Sequence, residues 1–170
     1  MVTIRSTQSE DRDAVVAVVR AAFASDGHDP QEEVDIVTET WARNAAPDDL
    51  DLVAVEDVTV VGYVLAARGR LSDTDVLGVA PLAVTPLRQR AGIGSALMTE
   101  LIARADTNRW ELLLLLGDPA YYERFGFEPA ANLGITYAAL GGADPHFQAR
   151  KLTRYDSSLR GAFTYCWETE

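Results

Sequence analysis

Cysteine occurs once, at Cys166, so no internal disulfide can form, and a reducing cytoplasm fits. Histidine is limited to His28 and His146, far apart and without companion ligands, so no metal site is expected. Long apolar runs are missing: a strict one such as Leu112–Leu116 is far below the length of a membrane span. The opening stretch MVTIRSTQSEDRD has no apolar core of a signal peptide. Positive charge is scarce, with 15 Lys and Arg against 26 Asp and Glu and a net charge of −11. Neutralising phosphates needs a basic surface, so a nucleic-acid partner is not expected, and a cationic substrate would be steered better than an anionic one. Repeats, low-complexity tracts and linkers are absent as well. What remains is a chain of 170 residues with 48% hydrophobic content, enough for one core, and a single α/β domain over 1–170 is expected.

Along the chain, residues 2–5 suit a short strand. Ser9 is placed as the N-cap of a first helix, with Glu10, Asp11 and Asp13 in the turn where the dipole favours acids. Val15, Val18, Val19, Ala22 and Phe23 then fall on one helical face. A second, acidic helix is expected over 31–43. Residues 51–56 and 59–67 alternate around a short polar turn, as a hairpin does. Residues 76–84 (VLGVAPLAV) are apolar throughout, which suits a strand buried on both faces. Pro81 within it has no N–H for a ladder and points to a bulge or a local opening of the sheet. A helix over 92–106 carries the rows Ile93, Leu97, Leu101 and Met98, Ile102, Ala105. A buried strand is expected at 110–116. Asp118-Pro119 then opens a short helix that Gly126 closes. Residues 130–145 are expected to be mostly loop, and 147–152 and 162–167 to be closing strands, with Cys166 a buried structural thiol.

The stretch LAVTPLRQRAGIGSAL (82–97) carries the strongest chemical signal. A strand ends at Val84, Arg88 and Arg90 flank Gln89, and Gly92-Ile93-Gly94-Ser95 starts an amphipathic helix. The free N–H groups and positive dipole of a helix start bind anions, and glycines let a ligand come close to the backbone. A pyrophosphate is therefore expected here, although glycines at a helix start also serve plain close packing. A nucleotide P-loop is excluded because no lysine is present in the loop. A dinucleotide fingerprint is excluded because Leu97 stands where a third glycine is needed, and several residues separate the strand from the glycines.

Gln89-Arg90-Ala91-Gly92-Ile93-Gly94 resembles the Q/R-x-x-G-x-G/A acyl-CoA-binding segment of the GNAT superfamily of N-acyltransferases, which follows the fourth strand and opens the third helix. LGDPAYYERFGFEP (116–129) resembles a second family segment, Y-x-x-x-G-F, with Tyr122, Gly126 and Phe127 in its fixed positions. GDPAYYxRFGF is similar to one bacterial branch of predicted acetyltransferases. The resemblance runs from the first helix to about Pro129, and more loosely beyond.

The resemblance implies a mixed central sheet flanked by helices, whose fourth and fifth strands splay apart around acetyl-CoA as co-substrate. It implies that the backbones of Leu82 and Val84 hold the pantetheine arm. An amide near Leu82 or Ala83 would polarise the thioester carbonyl, and Gln89, Arg90, Ala91, Gly92, Ile93, Gly94 and Ser95 would hold the pyrophosphate. It also implies that Tyr122 donates a proton to the departing thiolate, with Tyr121 packing or lining the substrate pocket. The general base is open among Asp75, Asp118, His28, Glu32 and Glu33; Asp118 is the leading candidate, although it equally suits a helix cap. The expected activity is acetyl transfer to an amine acceptor by a monomer or homodimer with no membrane partner. The alternative is a non-catalytic acyl-CoA-binding sensor or partner subunit with the same fold.

Overall fold

The computed structural model describes residues 1–25, 27 and 29–169, so the expectation placed on His28 lies outside the described residues. One mixed sheet runs in the order β1 (Val2–Ser6), β2 (Asp51–Glu56), β3 (Thr59–Leu71), β4 (Thr74–Val84), β5 (Leu112–Leu116), β8 (Phe147–Lys151), β6 (Glu128–Pro129), with β9 (Gly161–Tyr165) paired to β3 and to β7 (Ile135–Tyr137). The chain divides into two units: 1–66 with 80–101, and 67–79 with 102–170. No helix among the described residues is long and apolar enough to cross a membrane.

In the first unit, β1 (Val2–Ser6) pairs antiparallel with β2 (Asp51–Glu56), and β2 with the start of β3 (Thr59–Leu71). The expected hairpin is present, with a register shift between Ala54 and Val55. Helices α1 (Arg12–Ala24) and α2 (Gln31–Ala42) bring Val15, Val18, Val19, Val34 and Val37 into one cluster with Val53, Tyr63, Leu65 and Ala83. The i, i+3, i+4 spacing predicts this face, and Phe23 packs at its margin. Ser9 is not the cap. It lies in a 3-10 turn, Ser9–Asp11, and α1 begins at Arg12. Asp11 turns back instead: its Oδ2 accepts the Gln8 N–H at 2.8 Å, and the carboxylate takes two bonds from Arg5 at 2.7 and 3.0 Å. Two charge-assisted bonds outweigh one neutral cap, so the helix start is delayed. At the far end of α2, Trp41 Nε1–H donates to Asp51 at 2.8 Å, and the Arg12 guanidinium lies 4.9 Å over the indole.

In the second unit, β4 (Thr74–Val84) enters and pairs in parallel with β5 (Leu112–Leu116) at Leu77↔Leu113 and Gly78↔Leu114. This ladder stops ahead of Pro81, which lacks the N–H to continue one. β4 itself stays extended through Pro81, whose peptide bond to Ala80 is cis. β5 pairs antiparallel with β8 (Phe147–Lys151), which also takes β6 (Glu128–Pro129). Helix α3 (Ile93–Thr107) begins in the first unit and ends in the second.

The 130–145 stretch is more ordered than its Gly- and Ala-rich composition predicts. Ile135–Tyr137 forms strand β7, parallel to β9 (Gly161–Tyr165). Ile135 and Tyr137 point inward while Thr136 is exposed, a period-2 pattern too short to read without its partner strand. The last strand also ends early. Cys166–Glu168 is a 3-10 turn because the Glu168 carboxylate reaches back to the Tyr165 N–H at 2.8 Å and takes the Tyr137 hydroxyl. Cys166 is therefore half-buried in a turn, not a buried strand thiol. Trp167 stacks on Tyr165 at 4.3 Å between ring centroids.

Candidate functional site

The loop before α3 is built from its own hydrogen bonds. Thr85 N–H reaches the Val61 carbonyl at 2.9 Å, and Arg88 N–H closes a 3-10 turn on Thr85 at 2.9 Å. The Gln89 side-chain amide donates to the Val84 carbonyl at 3.1 Å, folding the loop over the strand end. Arg88, which flanks Gln89, makes a bidentate pair with Glu56 at 2.8 and 2.6 Å, so its charge is already matched and is not offered to an anion. Arg90 is exposed and has no ion-pair partner among the described residues. Its φ of +62° turns the chain toward Gly92, which sits at φ +85°. That conformation favours glycine, and a Cβ built at Gly92 meets nothing within 4 Å, so the space beside it is open.

The first helical bond of α3 is Ala96 N–H to the Gly92 carbonyl at 3.0 Å. The N–H groups of Ile93, Gly94 and Ser95 precede it and have no partner within the helix. Ile93 is buried and anchors the turn, whereas Gln89, Arg90, Ala91 and Gly92 are exposed and Gly94 and Ser95 half-buried. A free helix N-terminus, an open glycine and an unmatched arginine make a cradle of positive potential that suits a pyrophosphate. Along β4, Ala83 is buried, and Leu82 and Val84 are half-buried.

The second segment lies in the other unit. Asp118 Oδ1 accepts the Ala120 N–H at 3.0 Å and caps α4 (Pro119–Tyr122), with Pro119 in its first turn. A 3-10 turn, Glu123–Phe125, follows, and Gly126 closes it at φ +87°. The Tyr122 ring packs against Tyr121, Phe125 and Phe127 at centroid distances of 4.9, 6.4 and 5.8 Å. Burial, with a smaller contribution from Tyr121, pushes the Tyr122 phenol well above its ordinary range, so it keeps its proton at neutral pH. Tyr121 faces elsewhere, with the Arg124 guanidinium 4.7 Å over its ring.

Asp75 is paired with Arg70 at 2.8 Å, and Glu32 is exposed and Glu33 half-buried in the first turn of α2. Sequence reasoning missed Gln148 and Tyr165. Gln148 is 1% exposed, and its amide donates to the Gly117 carbonyl at 3.0 Å. The Tyr165 phenol is pushed up by burial and feels Tyr137, Glu168 and Tyr122 nearby. An inward-pointing polar residue in the short strand FQARK was the available signal for Gln148.

The family description of the acetyltransferase (GNAT) domain matches residues 48–129, which include both segments. An N-acetyltransferase of Escherichia coli, YhbS, is 30% identical over 159 residues, covering 89% of this chain and 86% of its own. The chain belongs to the GNAT family. Membership makes it an acyltransferase and accounts for the mixed sheet with a glycine-rich helix start after β4. The crystal structure of Escherichia coli YhbS in complex with CoA superposes with a TM-score of 0.86 at 28% identity, covering 96% of this chain and 89% of that one. A GNAT acetyltransferase from Brucella melitensis in complex with acetyl-CoA gives 0.80 at 28% identity, covering 97% and 96%. The first of these structures holds CoA and the second acetyl-CoA.

Proposed function

We propose that this GNAT protein transfers an acetyl group from acetyl-CoA to an amine, with the whole of 1–170 acting as one catalytic domain. The observation that carries the reading is the start of α3, where open space beside Gly92 and free N–H groups meet an unmatched Arg90. Gly92, Ile93, Gly94 and Ser95 would hold the pyrophosphate through their backbone, with Arg90 adding charge and Ala91 leaving room. Gln89 would fix the loop through Val84. The backbones of Leu82 and Val84 would align the pantetheine arm, and an amide near Leu82 or Ala83 would polarise the thioester carbonyl.

In the step itself the amine nitrogen bonds to the thioester carbon and the carbon–sulfur bond breaks. The amine gives up a proton, and the thiolate takes one from Tyr122. The Tyr122 phenol is protonated at neutral pH, as the role requires, and the burial that raises its pKa makes it a weaker acid, so the proton moves only as charge develops on sulfur. On the amine side we assign Asp118. Its Oδ1 is engaged as the α4 cap, and its other oxygen accepts no bond among the described residues.

Calorimetric titration of acetyl-CoA and free CoA, followed by thiol release against a panel of amines, tests the reading. Binding with amine-dependent release is the expected result. Failure to bind either ligand would remove the assignment of the 89–95 loop.

A further inference from the structure

Gly117 stands between β5 and the cap of α4, and its backbone is held from both sides. Its N–H donates to the His146 carbonyl at 2.9 Å, and its carbonyl accepts the amide of buried Gln148 at 3.0 Å. From this fixed point the chain runs through Asp118, whose carbonyl accepts the N–H groups of Tyr121 and Tyr122 at 3.0 and 3.1 Å. The circuit brings the Tyr122 ring back onto Gly117. A Cβ built at Gly117 collides with Tyr122 Cε2 and lies 2.9 Å from Cδ2, closer than real Cβ contacts approach. Tyr121, Phe125 and Phe127 pack on the ring, so any movement away from position 117 disturbs those contacts. Gly117 is not in the left-handed region, so the absence of a side chain, not backbone freedom, is what position 117 supplies.

We infer that Gly117 is a positioning residue: its bare Cα is the seat of the Tyr122 ring, and the bonds from His146 and Gln148 fix where that seat lies. The inference rests on the acid role proposed for Tyr122, but the seat itself can be tested without any turnover. Tyr122 is a small-tolerance element: a ring shift of an ångström moves its hydroxyl by as much, and misplacement on that scale costs on the order of 100-fold in rate.

The test is a cycle of Gly117→Ala with Tyr122→Phe and Tyr122→Ala. In the wild-type background Gly117→Ala is expected to lower the melting temperature, and in the Tyr122→Ala background that loss should vanish, because the colliding ring is gone. In tyrosine-labelled protein, Gly117→Ala should shift the Tyr122 ring resonances and bring its phenol titration down toward the ordinary range. Single-turnover acetyl transfer should slow by about 10- to 100-fold in Gly117→Ala, and the double variant with Tyr122→Phe should be no slower than Tyr122→Phe alone. Affinity for CoA should not change. Equal melting losses in both backgrounds, or unaltered Tyr122 resonances, would overturn the seat. If Tyr122→Phe keeps the full rate, the acid role fails and the melting cycle still decides the seat. If Tyr122→Phe is slow and Gly117→Ala is fast, the acid role stands and the positioning inference is lost.

Discussion

A tyrosine that hands a proton to sulfur must hold that proton until the step occurs, as an ordinary phenol already does at neutral pH, and burial beside aromatic rings holds it more firmly in Tyr122. Replacing it with phenylalanine keeps the ring and its packing. Tyr122→Phe is therefore expected to retain CoA affinity and to slow single-turnover transfer by ~10²–10⁴-fold. Because its pKa is raised, the phenol stays protonated across neutral and mildly alkaline pH, and the rate should show no alkaline fall from Tyr122 below about pH 10. A second residue-scale expectation concerns Asp11. The Arg5 hydrogen bonds hold its carboxyl below the ordinary carboxylate value. A lowered folded pKa adds stability that is present above the unfolded value and is lost as pH falls through the folded one. Asp11→Asn should thus cost about 1 kcal/mol at neutral pH, limited by solvent screening at half-exposed Arg5. The difference in melting temperature from wild type should close as pH drops below the usual carboxylate range.

At the scale of elements, the start of α3 and the cap of α4 give separable tests. Gly92→Asp puts a carboxylate where the pyrophosphate is proposed to lie, and like charges in contact cost several kcal/mol, so CoA affinity should fall by about 100-fold or more. Gly92→Asn offers the same size and tolerates φ +85° comparably without the charge. It should bind much better than Gly92→Asp, and equal losses would mean that crowding, not charge, decides. Asparagine also caps helices as aspartate does, so Asp118→Asn should leave stability within a few tenths of a kcal/mol while removing any base. A full transfer rate in that variant would leave Asp118 as a cap alone. Both elements were legible in the sequence, since Gly92 and the Asp118-Pro119 pair mark local backbone geometry that few other residues provide. What was not legible depends on partners distant in the chain. Ser9 lost the cap to an Asp11 engaged with Arg5, Arg88 was taken by Glu56, and β7 exists because β9 completes it. The role of Gln148 was hidden for the same reason, as only the fold brings Gly117 to it.

For the molecule as a whole, strands β3 and β4 and helix α3 each run from one unit into the other along the chain. Backbone hydrogen bonds along such elements propagate order, and a cooperative two-state transition is what a single domain shows. The reading of 1–170 as one domain therefore predicts a single cooperative transition in urea, with coincident midpoints by far-ultraviolet circular dichroism and by any local probe.

The tryptophans already supply those probes. Trp41 belongs to the first unit, edge-on to Tyr63 with Arg12 above it, while Trp110 and Trp167 belong to the second. Trp167, face to face with Tyr165, should have emission distinct from that of Trp41, which is hydrogen-bonded to a carboxylate. A variant carrying Trp110→Phe and Trp167→Phe emits from the first unit alone, and Trp41→Phe confines the signal to the second. The protein thus carries a built-in pair of optical reporters, and its cooperativity can be read by light from either half without attaching a dye.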